Sequence, residues 1–221
     1  MQEHHLPVTR TGRYVTLGPA DAADVWFLLH GYGQLAHRFI RSFEPIADGS
    51  RLLVAPEALN RFYVDAEHRK VGATWMTRED RLTDISDYIG YLDAVADALG
   101  LGERAARVTA FGFSQGSATA CRWATRGRTR VHRLVCWGGE VPPDLDLPEV
   151  AERLRTCDVV LAAGTADRFI TPKIVEAMSA RLGKHDVPHR VYPFAGGHEI
   201  PEAALRELTA MADGGQEMAD G

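Results

Sequence analysis

Cysteine is scarce. The chain has three, Cys121, Cys136 and Cys157, with no Cys-x-x-Cys spacing, so neither a disulfide framework nor a zinc–thiolate site is expected. They read as reduced thiols in apolar or helical surroundings. Basic charge is not in excess either: 25 Lys and Arg against 30 Asp and Glu give a net charge of -5, which argues against a nucleic-acid partner. The densest basic group, Arg122, Arg126, Arg128, Arg130 and Arg133, reads as the solvated end of a helix and its loop. No run approaches the roughly 18 apolar residues of a membrane span. The longest strongly apolar stretch is Val25 to Leu29, so stable membrane insertion is not expected. The start, Met1 to Pro7, lacks a basic segment followed by an apolar one, so no secretory signal is read and the cytoplasm is the expected location. Nothing calls for a metal or a cofactor.

What remains is an ordinary globular composition, 45% hydrophobic and 25% charged over 221 residues, enough for one good core. One domain is expected over residues 1–212, with a flexible, Gly-rich and acidic tail over 213–221.

The most informative stretch is Val108 to Ala120. A short apolar run enters Gly112-Phe113-Ser114-Gln115-Gly116 and leaves as a small-residue helix. A serine hydroxyl is a weak nucleophile, so a fold that uses one presents it on a tight strand-to-helix turn, beside a base and facing amide donors. Glycines on either side relieve the crowding of that turn. The flanking strand and helix are the context the motif requires, and Ser114 is the candidate nucleophile.

Along the chain, residues 8–18 suggest a hairpin turning at Thr11-Gly12. Strands are expected at Val25–Leu29, Arg51–Ala55, Val131–Trp137, Val159–Ala163 and His189–Phe194. Helices are expected at Leu35–Ala47, Arg81–Leu99, Ala118–Thr125, Glu149–Leu154, Pro172–Leu182 and Pro201–Met211, and a long irregular loop over Glu57–Met76. Strands that are continuously apolar and alternate with helices imply an α/β fold. The expected architecture is an α/β-hydrolase: a mostly parallel central sheet with helices on both faces, an antiparallel N-terminal hairpin and no cap domain, because the Trp137–Val159 connection is short.

In such a sheet, ligands bind beyond the carboxyl ends of the strands. That rule selects His198, just past the last strand, as the base, and Asp167, after the Val159–Ala163 strand, as its carboxylate. Asp158 precedes its strand and lies on the wrong edge, and Glu140 is the rival acid. His30 follows a strand too but opens the Gly31-Tyr32-Gly33 loop, where structural hydrogen bonding is expected. The order Ser114, Asp167, His198 is the one an α/β-hydrolase requires. The amides of Gln115 and Tyr32 are the expected oxyanion donors. Phe113, Trp75, Met76, Phe169 and Ile170 are candidate substrate-binding residues.

Four segments, Leu28-Leu29-His30-Gly31-Tyr32-Gly33, Gly112 to Gly116, Gly164-Thr165-Ala166-Asp167 and Gly196-Gly197-His198-Glu199-Ile200, resemble the phospholipase/carboxylesterase family of serine α/β-hydrolases. That group includes acyl-protein thioesterases and small bacterial carboxylesterases. The resemblance implies a Ser114–Asp167–His198 triad and an oxyanion hole from Tyr32 and Gln115. Tyr32 and Gln34 stand where the eukaryotic thioesterases usually carry Leu and Asp, so protein depalmitoylation is not implied. Dienelactone hydrolases are similar in size but use cysteine where this chain has Ser114. The expected activity is hydrolysis of short- to medium-chain carboxylic esters through an acyl-enzyme, the partners being a small ester and water, in a monomer or homodimer. The alternatives are an acyl thioesterase or lysophospholipase of the same family, a slow ligand-binding protein on this fold, and a serine peptidase.

Overall fold

A computed structural model describes residues 1–213. Its centre is a seven-stranded sheet built from β1 (Tyr14–Leu17), β2 (Asp24–Leu29), β3 (Arg51–Pro56), β6 (Arg107–Phe113), β7 (Arg133–Trp137), β8 (Asp158–Gly164) and β9 (His189–Phe194) in the order β1-β3-β2-β6-β7-β8-β9. All pairs are parallel except β1–β3. Two further strands, β4 (Asn60–Tyr63) and β5 (Val71–Thr74), form a separate antiparallel pair.

Strands covered on both faces need apolar side chains at every position. Along β2, Val25, Phe27 and Leu29 face one core while Trp26 and Leu28 face the other, all at most 1% exposed. The first core is closed by α2 (Arg81–Ala98), α3 (Gln115–Arg126), α4 (Leu147–Arg155) and α5 (Pro172–Gly183), through residues such as Leu92, Trp123, Leu154 and Met178. The second is closed by α1 (Ala36–Phe39), the 3-10 segment Ile40–Ile46 that continues it, and α6 (Glu202–Asp213), through Phe39, Phe43 and Leu205. None of these helices, among the described residues, is long and apolar enough to cross a membrane. No inserted domain separates β7 from β8; α4 fills that connection and packs on the α3 side of the sheet.

Several expectations need correction. Residues 8–18 are not a hairpin: β1 pairs with β3, with Tyr14 opposite Pro56, because a two-residue turn cannot compete with a sheet edge that offers a full row of backbone partners. The hairpin of this chain lies in the stretch read as an irregular loop, where Asn60 pairs with Thr74 and Tyr63 with Val71. The helix expected over Leu35–Ala47 tightens to 3-10 from Ile40; Pro45 lies inside that segment and cannot donate an α-helical hydrogen bond. Arg122 is not solvated. It is 3% exposed, with Nη2 donating to Asp144 Oδ1 at 2.7 Å and Nη1 to the Tyr88 hydroxyl at 3.3 Å. Of the tail expected over 213–221, Asp213 ends α6 and the rest lies outside the described residues.

Asp93 ties α2 to the end of α3. Only 3% exposed, it accepts hydrogen bonds from Trp123 Nε1 (2.9 Å), the Arg128 amide (2.8 Å), and the Thr129 amide and hydroxyl (3.1 and 2.8 Å). Burial alone would raise its pKa; the donors outweigh burial and hold it below the usual carboxylate value. Asp93→Ala strands these buried donors and is expected to cost about 3 kcal/mol in urea unfolding. A loss below about 1 kcal/mol would contradict this role.

Candidate active site

The sheet brings its strand ends to one rim. Leu29 is level with Gly112, Phe113 with Trp137, and Gly164 with Phe194. The strand order reverses direction between β2 and β6, the place where open parallel sheets leave a crevice for ligands.

Ser114 stands between β6 and α3 with φ 53° and ψ -118°, a backbone conformation that costs a non-glycine residue on the order of 1–3 kcal/mol. The surroundings enforce it. The Ser114 amide donates to the Trp137 carbonyl at 2.9 Å, and its own carbonyl accepts from Ser117 N at 3.0 Å. A Cβ at Gly112 would strike the Gly116 backbone, and one at Gly116 would strike the Leu29 carbonyl, so α3 starts against β2 and β6 with no room to relax.

The loops after β8 and β9 are stitched together. Thr165 N donates to the Phe194 carbonyl and Ala166 N to the Gly196 carbonyl, each at 2.9 Å, and Trp137 Nε1 donates to the Glu199 carbonyl at 2.8 Å. This carries Asp167 to His198, whose Nδ1–H donates to Asp167 Oδ2 at 2.8 Å. The carboxylate is fully covered, whereas the imidazole is 22% exposed. Asp167 Oδ1 accepts from the Phe169 and Ile170 amides at 2.7 and 3.0 Å. Burial would raise its pKa, but the Ile170 amide, His198 and the Phe169 amide together hold it below the usual carboxylate value. Glu140, the rival, is exposed.

Phe113 and Phe169 flank the imidazole, with ring centroids 4.9 and 4.8 Å from it. Ser114 reaches the same place through Gly138-Gly139: a Cβ at Gly138 would lie 3.3 Å from His198 Nδ1, and one at Gly139 would overlap the Ser114 carbonyl. Among the described residues Ser114 Oγ makes no hydrogen bond to His198. In ligand-free sites such bonds are commonly long and tighten when substrate binds.

Of the two expected oxyanion donors, Gln115 is the first residue of α3, where a backbone N–H has no intrahelical acceptor. In the first loop, Gly31 N donates to Gln34 Oε1 (2.7 Å) and Gly33 N to the Ala73 carbonyl (2.9 Å), while the Tyr32 amide between them has no acceptor among the described residues. His30 is a structural residue. Fully buried, it donates from Nδ1 to the Gly31 carbonyl (2.8 Å) and accepts the Ala58 amide on Nε2 (3.1 Å), and burial pushes its pKa down despite the Gly31 bond and nearby Glu57.

The expected substrate-binding residues divide. Phe113, 7% exposed, and Phe169, 69% exposed, adjoin His198; Met76 is half-buried beside Arg122. Trp75 is a core residue, 1% exposed, with Nε1 donating to the His30 carbonyl at 2.8 Å. Ile170, 6% exposed, packs into the same core and meets the site only through its amide. The side chains of Gln34 and Gln115 bond to backbone at this rim with no mark in the sequence. A glutamine beside a glycine loop carries no pattern that announces a hydrogen bond to it. His185 and His189 lie four apart, but His189 nitrogens engage the Ser179 hydroxyl and the Val187 carbonyl, both at 2.7–2.8 Å.

A parallel sheet with a strained serine elbow at the strand-order reversal and an Asp–His pair at the same rim defines an α/β-hydrolase. Within that class the chain belongs to the family Serine hydrolase (FSH1), whose model matches residues 26–209. No curated protein matches the sequence. Among solved structures, the fold is similar to Zea mays acyl-protein thioesterase 2, with TM-score 0.73 and 20% identity over 92% of this chain and 99% of that one. It is similar also to a Mesorhizobium loti carboxylesterase (0.65, 22%, 90% and 94%) and to the Bacillus cereus carboxylesterase (0.69, 16%, 91% and 93%). The resemblance of the motifs to the phospholipase/carboxylesterase group agrees with this membership.

Because the folded-state pKa of Asp167 lies below its unfolded value, its charge stabilises the fold above about pH 4, and that contribution is lost as pH falls through the folded-state value. The stability gap between wild type and Asp167→Asn in urea is therefore expected to be widest near neutrality and to close on acidification. A gap that is constant or widens at low pH would contradict the ionised, hydrogen-bonded carboxylate.

Proposed function

We propose that the protein hydrolyses short- to medium-chain carboxylic esters, with Ser114 as nucleophile, His198 as general base and acid, and Asp167 as the carboxylate that orients it. The observation that carries this reading is the 2.8 Å bond from His198 Nδ1 to a fully covered Asp167, at the same rim as the serine elbow. That bond fixes the tautomer, leaving Nε2 unprotonated and free to accept a proton.

As Ser114 Oγ attacks the carbonyl carbon, its proton passes to His198 Nε2 and the carbonyl π-electrons move onto oxygen. The Tyr32 and Gln115 amides bind this oxyanion. Collapse breaks the ester C–O bond, and the alcohol departs with the proton from His198. Water then attacks the acyl-enzyme by the same route, releasing the acid and restoring Ser114. The imidazolium formed in each half-reaction is stabilised by the Asp167 carboxylate, whose remaining oxygen is held by two amides.

Substrate size follows from the open rim. Among the described residues no inserted domain stands between β7 and β8, and Phe169 is exposed beside His198, an arrangement that suits a short or medium acyl chain better than a long one. Thioester hydrolysis is the second reading, favoured by the fold shared with the maize thioesterase.

A p-nitrophenyl ester series from acetate to palmitate is expected to give the highest kcat/KM at the short to medium esters, with oxygen esters preferred to thioesters of equal acyl length. Ser114→Ala is expected to abolish turnover and Asp167→Asn to lower kcat roughly 10³–10⁴-fold, with Glu140→Gln unchanged. A rate climbing steadily to palmitate rejects the substrate range. A Glu140 effect exceeding that of Asp167 moves the acid.

A further inference from the structure

The two amides assigned to the oxyanion hole follow different strands, Tyr32 in the loop after β2 and Gln115 at the start of α3 after β6. The β2–β6 ladder that holds those strands ends at Leu29 opposite Gly112, before either amide is reached. Beyond that point the chain parts in two directions, one into the Gly31–Gln34 loop and the other through Ser114 into α3. Donors facing an oxyanion must nevertheless be placed within a few tenths of an ångström. The close contact of Gly116 with the Leu29 carbonyl joins the branches at their root, and a further brace is needed to fix the two amides beyond it.

The last residues of the β4–β5 hairpin touch both branches. On one side, Ala73 forms a two-bond bridge to the first loop, its carbonyl accepting the Gly33 amide (2.9 Å) and its amide donating to the Gln34 carbonyl (3.1 Å). A Cβ at the preceding Gly72 would overlap Gly33, so the approach is backbone on backbone. Gln34 then turns its side chain back, Oε1 accepting the Gly31 amide at 2.7 Å, while its backbone N–H donates to the Gly31 carbonyl at 3.2 Å. On the other side, Gln115 Oε1 accepts the Trp75 amide at 3.1 Å, and Nε2 donates to Thr74 Oγ1 and the Met76 carbonyl, both at 2.9 Å. Thr74 Oγ1 in turn donates to the Met76 carbonyl at 2.8 Å.

We infer that the end of this hairpin, Ala73 to Met76, is a clamp that sets the spacing of the Tyr32 and Gln115 amides, with the side chains of Gln34 and Gln115 as positioning residues. The inference rests on the proposed hydrolase function. Neither side chain meets the reacting atoms. Gln34 commits the Gly31 amide and the hairpin commits the Gly33 amide, so Tyr32 N–H is the one left to face the substrate. Gln115 serves twice, its amide toward the oxyanion and its side chain locking the helix start to the hairpin.

The test uses the full-length protein with Gln34→Met and Thr74→Val, each close in size to the native side chain but lacking its hydrogen bond, together with Gln115→Met, which keeps the backbone amide. Each is expected to lower kcat on a p-nitrophenyl ester roughly 10- to 100-fold with KM unchanged, read at a temperature where melting shows the variant folded. A trifluoromethyl ketone, whose adduct places an oxyanion in the hole, is expected to bind weaker by the same factor. The double variant Gln34→Met/Gln115→Met should lose less than the product of the single losses, because both side chains act through one clamp, and Thr74→Ser should restore wild-type kcat. Unchanged kcat in the folded variants, or a loss confined to KM with undiminished ketone affinity, overturns the clamp. Should Gln115→Met fail to fold, Gln34→Met and Thr74→Val decide by the same readouts. Ser114→Ala in the same panel separates the two claims: if it still turns over, the hydrolase reading has failed, whatever the clamp variants do.

Discussion

The start of α3 lies so close to β2 and β6 that no side chain fits between them. Gly112 and Gly116 touch backbone where a Cβ would be, and the crossing leaves Ser114 at φ 53°. A relaxed turn would lower the local strain but would swing the hydroxyl away from the rim and withdraw the first amide of α3 from it. The two buried faces of the sheet hold the crossing in place. With Val25 to Leu29 fully covered and the Trp123 and Phe27 ring centroids 4.6 Å apart, α3 cannot lift without opening the core, and close-packed interiors resist that strongly.

On the other half of the rim, electrostatics takes over from sterics. Asp167 is buried without losing its charge because two amides and the His198 ring satisfy its oxygens. Phe113 and Phe169 then hold the imidazole by its faces and edges. A buried carboxylate lacking those donors would take up a proton and cease to hold the imidazole. The order of elements fits the arrangement: each side chain sits in the loop after a parallel strand, so all three reach one edge of the sheet irrespective of their separation in sequence.

Much of this was legible in the sequence, for physical reasons. Continuous apolar runs such as Val25–Leu29 identify strands buried on both faces, and the parallel topology then selects post-strand residues, which picks His198 and Asp167 out of many candidates. What could not be read were features decided by competition between distant segments. Tyr14–Leu17 could pair locally or with β3, and alternation looks the same in either case. Asn60–Thr74 carries too little hydrophobic pattern to announce a hairpin, since its role lies in backbone bonds to Gln34. Arg122 looks like a surface cation until Asp144 and Tyr88 are brought to it from other elements. Trp75 looks like a pocket aromatic in the sequence, but its indole N–H finds the His30 carbonyl inside the core, a partner set by tertiary packing alone.

The central claim is that Ser114, His198 and the Tyr32 and Gln115 amides surround a single acyl carbon. The most direct measurement is a crystal structure of the protein inactivated by a p-nitrophenyl alkylphosphonate. The account predicts phosphorus bonded to Ser114 Oγ, the phosphoryl oxygen within hydrogen-bond distance of both amides, and His198 Nε2 turned toward the Ser114 oxygen while Nδ1 stays on Asp167. Phosphorus on another residue, or a phosphoryl oxygen facing away from those amides, would contradict it.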